Sequence, residues 1–95
     1  MRIRVVQSGG FAGLHVERAL ETDHLATNEQ ADVERLVTEA CFFDLPARAV
    51  SGLPDVIQCR ICVNASGREH EVTTDERSAS AALWRLVERV MVGPD

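Results

Sequence analysis

Ninety-five residues, 45% apolar and 26% charged, suit one small globular domain rather than a disordered chain. The net charge is −5 and all ten basic residues are arginine, which argues against binding to nucleic acid or to an anionic membrane surface. Only 4% of the residues are aromatic, so the core must be built from Val, Leu, Ile and Ala. An enclosed substrate cavity is hard to fit in such a domain, and function is expected at the surface.

The chain opens with RIRVVQ (2–7), in which Ile3 and Val5 share one face and Arg2 and Arg4 the other, the alternation of a half-buried strand. A glycine-rich stretch follows, and LHVERAL (14–20) then places Leu14, Val16 and Leu20 on one face. Arg18 interrupts that face, as happens near a sheet edge or a strand end. The two strands, joined through Gly9–Gly13, predict a hairpin with a five-residue loop.

The period then changes. Thr27-Asn28-Glu29-Gln30 fits a capping box, and Val33, Leu36, Val37 and Ala40 recur at helical spacing, which predicts a helix over 28–41. Phe42 and Phe43 are expected to fold back on the core, and Pro46 stops further helix. Residues 47–55, with Ser51-Gly52 and Leu53-Pro54-Asp55, read as a mobile loop.

A second hairpin begins near Val56. Ile57, Cys59, Ile61 and Val63 alternate with Gln58, Arg60, Cys62 and Asn64, and Asn64-Ala65-Ser66-Gly67 supplies a turn. REHEVTT (68–74) is a polar strand with Glu69 and Glu71 on one face and His70 on the other. A final helix over 77–92 carries an apolar stripe of Ala79, Leu83, Leu86, Val87 and Val90, widened by Trp84 and Met91. The expected fold is α+β in ββαββα order: a four-stranded antiparallel sheet of two hairpins with two amphipathic helices on one face, all in one domain over residues 1–95.

Few motifs carry chemistry. Cys59-Arg60-Ile61-Cys62 has C-x-x-C spacing, but residues three apart on a strand face opposite ways, so the pair is expected to be free thiols, Cys59 inside and Cys62 outside. His15, His24 and His70 are scattered and suit surface positions. Cys41, beside Phe42, is expected to be buried and unreactive. No cofactor or metal site of the chain's own is expected. With no leader pattern and no apolar run near the ~20 residues of a membrane span, a cytoplasmic protein with reduced thiols is expected, export without a classical signal staying open.

The glycine stretch stands apart. Ser8-Gly9-Gly10-Phe11-Ala12-Gly13-Leu14 holds one large ring among three glycines. It leads into a strand and lacks a Lys-Ser/Thr ending, so it is not a phosphate-binding P-loop. Gly10-Phe11-Ala12-Gly13 matches the bare G-x-x-G of RNA-binding KH loops, without the helical setting or basic surround such a loop needs. Phe11 has two readings: a ring folded over Leu14 to staple the hairpin, or an outward anchor for a partner's pocket.

With these residues in place, the chain resembles the emfourin family, small bacterial inhibitors of thermolysin-like zinc metalloproteases. The resemblance rests on Ser8–Gly13 between the first two strands, on the helix followed by Phe42-Phe43-Asp44-Leu45-Pro46, and on Thr74-Asp75 before the last helix. Glu76-Arg77-Ser78-Ala79-Ser80 stands where the family commonly carries proline.

The resemblance implies a monomeric, non-enzymatic, reversible inhibitor that binds a thermolysin-like metalloprotease through Ser8, Gly9, Gly10, Phe11, Ala12, Gly13 and Leu14. Thr74 and Asp75 would make secondary contacts. The loop would occupy the enzyme's cleft like a substrate, or a wider surface including 47–55 and Thr74-Asp75 would cap it. Ligation of the enzyme's zinc by Asp75 or a cysteine is a further variant. The competing reading is an adaptor module that offers the same loop, or a sheet edge, to a partner that is not a protease.

Overall fold

The computed structural model describes residues 1–10 and 13–92. Strand β1 (Arg2–Gly9) lies between β2 (Leu14–Glu21) and β4 (Ile57–Ala65), antiparallel to both. Strand β5 (Arg68–Asp75) pairs antiparallel with β4. A two-residue strand β3 (Arg48–Ala49) pairs with β5 in parallel. The sheet therefore has five strands in the order β2-β1-β4-β5-β3 and is mixed, where the sequence predicts four antiparallel strands. The extra strand falls in the predicted loop 47–55. Two residues are too few to show alternation, and their pairing depends on β5, far away in sequence.

Alternation decides which side of each strand is dry. Ile3 and Val5 of β1, Cys59, Ile61 and Val63 of β4, and Val72 of β5 are at most 1% exposed and form the floor of the core. Helices α1 (Thr27–Glu39) and α2 (Ala81–Val92) roof it, as predicted, through Val33 and Val37 and through Leu83, Leu86, Val87 and Val90. Each such side chain contributes about 1.5–3 kcal/mol when fully buried. The other face of the sheet carries Arg2, Arg4, Glu17, Arg60 and Glu71 in water. Arg4 pairs there with Glu17, and Arg60 with Glu71 at 3.5 Å. Arg18 is exposed on β2, which is an edge strand as its sequence suggests.

The helix ends differ from expectation. The N-cap of α1 is Ala26, without a side-chain cap, and Gln30 Nε2 donates to the Leu25 carbonyl at 3.0 Å instead of closing a capping box with Thr27. Cys41 ends α1 in the left-handed region (φ 50°) and is exposed, not buried as predicted. Helix α2 begins at Ala81 rather than near residue 77. Ser80 Oγ accepts from the Leu83 amide at 3.1 Å and so marks the start.

Phe42 is 1% exposed and meets Phe43 edge-on, the centroids 5.8 Å apart. His70 joins them: its ring lies 5.6 Å from Phe42, and Nε2–H donates to the Leu45 carbonyl at 2.7 Å. The sequence reading assigns His70 to a polar strand face. It shares parity with Val72 and Thr74, so it faces the helices and is half-buried.

Candidate functional site

The end of the sheet where β1 stops and β2 starts gathers three stretches of chain. The first is the predicted inhibitory loop. Ser8 pairs with His15 on one side and Gln58 on the other, and Gly9 pairs with Leu14 and Ile57. Because Gly9 belongs to the ladder, the connection has four residues, Gly10–Gly13, one fewer than predicted. The Gly13 amide donates to the Gly10 carbonyl at 3.3 Å and closes the turn. Phe11 and Ala12, the centre of the predicted contact, lie outside the described residues. Gly13 is exposed, and Leu14 is half-buried at the start of β2.

At two glycines a positive φ coincides with a close approach. Gly9 (φ +84°) would place a Cβ 3.2 Å from the Val56 carbonyl oxygen, and Gly10 (φ +74°) would place one 3.2 Å from Ile57 Cγ1. The same contact fixes the loop, since the Gly10 amide donates to that Val56 carbonyl at 3.2 Å. The bend is thus held at its base by the chain just before β4 as well as by its own hairpin.

The second stretch leads into β4. Thr73 donates its amide to the Ala47 carbonyl at 2.8 Å, and Thr74 Oγ1 donates to the Ala49 carbonyl at 2.8 Å. The start of the predicted mobile loop is therefore pinned to β5. Beyond it, Ser51–Asp55 bends through Gly52 (φ +75°) and Asp55 (φ +60°) to reach Val56.

The third stretch is the turn after β5, organised by Asp75, which is fully buried. Its Oδ2 accepts from the Ser51 amide at 2.6 Å and the Ser51 hydroxyl at 2.7 Å. Its Oδ1 accepts from the Arg77 amide at 3.0 Å and the Ser78 amide at 2.8 Å. Burial pushes the carboxyl up, but the donors from Ser51, Ser78 and Arg77 outweigh it and hold it near 2. One carboxylate thus binds the second stretch to the third. Glu76 extends the sheet, its amide donating to the Ile57 carbonyl at 3.0 Å while its carboxylate accepts from the Ile57 amide at 3.3 Å.

The sequence-predicted positions among the described residues, Ser8, Gly9, Gly10, Gly13, Leu14, Thr74 and Asp75, therefore gather at one end. Gln58 faces Ser8 on one side and Asp75 on the other, so these two lie two strand spacings apart, about 10 Å. Thr74 and Asp75 are 1% and 0% exposed, however, and their side chains point their hydrogen bonds into the protein. They shape the neighbouring loops. Ser51 and Val56 were not singled out by sequence reasoning. A signal for the Asp75 turn was present: an aspartate two and three residues before Arg77 and Ser78 is a standard way to accept their amides.

The remaining candidates build no site of their own among the described residues. Cys59 is in the core and Cys62 on the outer face, as predicted. Burial pushes the Cys59 thiol up to about 11, despite a hydrogen bond from Gln7. Burial, with the Glu69 and Glu71 carboxylates, also raises Cys62. His15 is exposed. Among the described residues no group of three or more His, Cys, Asp or Glu could hold a metal ion, and no helix is long and apolar enough to cross a membrane.

Comparison with curated proteins and with solved structures returned no match. Comparison with family models matched Emfourin over residues 5–91, which takes in all but the first three residues of β1 and the last of α2, and all three stretches at this end of the sheet. The chain belongs to the Emfourin family, a family of protease inhibitors.

Proposed function

We propose that this protein is a reversible inhibitor of a thermolysin-family zinc metalloprotease and that the Ser8–Leu14 loop blocks the enzyme's cleft. The observation that carries this reading is the family match together with the anchored bend at Gly10–Gly13. A catalytic zinc keeps one coordination position open at the bottom of a cleft, and a narrow loop can reach it. A bend fixed by the Val56 carbonyl loses less conformational freedom on binding than a free peptide, which favours affinity. Phe11 supplies the apolar group for an enzyme pocket. No step of catalysis is assigned to the chain.

The test is a titration of a thermolysin-like enzyme with the protein. Peptidase activity should fall to zero at a stoichiometric ratio, return on dilution, and leave the inhibitor uncut. Phe11→Ala should weaken inhibition by roughly 30-fold, the equivalent of about 2 kcal/mol. An enzyme fully active in large excess of the protein would remove the reading and favour an adaptor role. A folded Phe11→Ala variant with unchanged inhibition would remove Phe11 alone.

A further inference from the structure

The helices roof one face of the sheet, and two hollows lie side by side on the other face, with Val6 and Arg60 belonging to both. The hollow toward Arg2 has balanced walls: Arg2, Arg4 and Arg60 are answered by Glu69 and Glu71. Its neighbour, about 430 Å³ in volume, is different. The polar walls there are Ser8, His15, Arg48, Gln58, Arg60 and Thr73, with no carboxylate among them. In a chain of 15 acidic residues against ten arginines, that is a local reversal of charge.

Strand register explains the grouping. Arg60 lies opposite Val6 on one side and Thr73 on the other, and Thr73 lies opposite Arg48. Directly paired residues point to the same face, so these four form a row in which Thr73 stands between two arginines whose backbones are about 10 Å apart. The next row is His15, Ser8 and Gln58. Among the described residues, the side chains of Ser8, His15, Arg48, Gln58 and Thr73 have no hydrogen-bond or ion-pair partner within the protein. The carboxylates that border the two rows are engaged: Glu17 with Arg4, Glu71 with Arg60 Nε at 3.5 Å, and Asp75 with Ser51, Arg77 and Ser78. Several donors thus converge on one space with no acceptor of the chain's own to meet them.

We propose that this hollow binds a small phosphate-type oxyanion, either free or as the phosphate of a monoester. Arg48 and Arg60 grip it from two sides, as guanidinium groups do with oxyanions, and Ser8, Gln58 and Thr73 donate from the sheet beneath. The volume leaves room beside the phosphate for a small organic substituent. A long polyanion does not suit the site, because the surrounding surface of this acidic chain would repel it. The bound ion ties the two-residue strand β3 to β4 and, by binding only the folded chain, raises its stability. The inference does not depend on the protease-inhibitor reading.

The experiment titrates the ¹⁵N-labelled full chain at neutral pH and fixed ionic strength with inorganic phosphate, and separately with ribose 5-phosphate, while backbone amide shifts are followed. Phosphate should move the amides of Arg48, Gln58, Arg60 and Thr73 and saturate with a Kd at or below about 1 mM. Arg48→Gln and Thr73→Val should each weaken binding by at least about fivefold, with ligand-free melts within about 2 °C of the parent. Arg2→Gln, in the balanced hollow, should bind as the parent does. Ribose 5-phosphate held at least about tenfold more tightly than phosphate identifies a monoester as the ligand; equal affinity identifies the free ion. Shifts that spread over the surface without saturating, unchanged binding by Arg48→Gln, or an equal loss in Arg2→Gln would overturn the proposal.

Discussion

The two antiparallel hairpins of this sheet are closed very differently. Strands β4 and β5 turn through Ser66-Gly67 alone, with φ of 51° and 78°, and Ala65 pairs directly with Arg68. Two left-handed residues match the natural twist of the paired strands, so this is the shortest connection the chain can make. Strands β1 and β2 spend four residues on the same task, three glycines with positive φ border the bend, and its base is tied to Val56, the residue just before β4. The difference shows what joining strands requires. The connection Gly10-Phe11-Ala12-Gly13 is two residues longer than the Ser66-Gly67 solution, and those two are what closing the hairpin does not require.

The largest effect is expected when the two hairpins are made alike. Exchanging Gly10–Gly13 for a Ser-Gly pair keeps the even register between Gly9 and Leu14. The protein should fold with a melting temperature near that of the parent and lose at least 100-fold in inhibition. Retained inhibition would show that the longer bend is merely a tolerated connection.

A weaker perturbation asks whether the neighbouring stretch is held as described. Asp75→Asn removes the carboxylate that accepts from Ser51, Arg77 and Ser78, and should lower the melting temperature at neutral pH. Because the folded carboxyl lies near 2, below its ordinary value of 3.8, its contribution is complete above pH 4 and fades as pH falls toward 2. The parent and the variant should therefore converge in stability across that window. A constant difference down to pH 2 would mean the carboxylate is not the acceptor. The smallest effect is expected at the short turn: Ser66→Asn suits a left-handed residue better and should stabilise by about 0.5 kcal/mol in a urea melt, with inhibition unchanged.

The hairpins were legible because alternation writes burial directly into sequence: Ile3 and Val5, and Cys59, Ile61 and Val63, mark the dry face without help from tertiary structure. What escaped was fixed by distant partners. Arg48–Ala49 becomes a strand only because Thr73 donates to Ala47 and lies opposite Arg48. Gln30 leaves its expected cap for Leu25. His70 was readable from its parity with Val72, but three charged neighbours disguised the strand. At the site, glycine content identified the first loop, whereas the role of Val56 could not be read, since a backbone carbonyl leaves no trace in residue type.

The opposite end of β1 has a practical consequence. Met1 is fastened there: its amino group lies 3.7 Å from Glu21 Oε1, and its carbonyl accepts from the Thr22 amide at 2.9 Å and from the Thr22 hydroxyl at 3.1 Å. Eight residues of extended strand then carry the chain to Gly9, a run of roughly 25 Å. A fluorophore or a biotin attached ahead of Met1 would accordingly point away from the glycine bend. Immobilised that way on a sensor chip, the protein would present the sheet end at Gly9 and Leu14 outward.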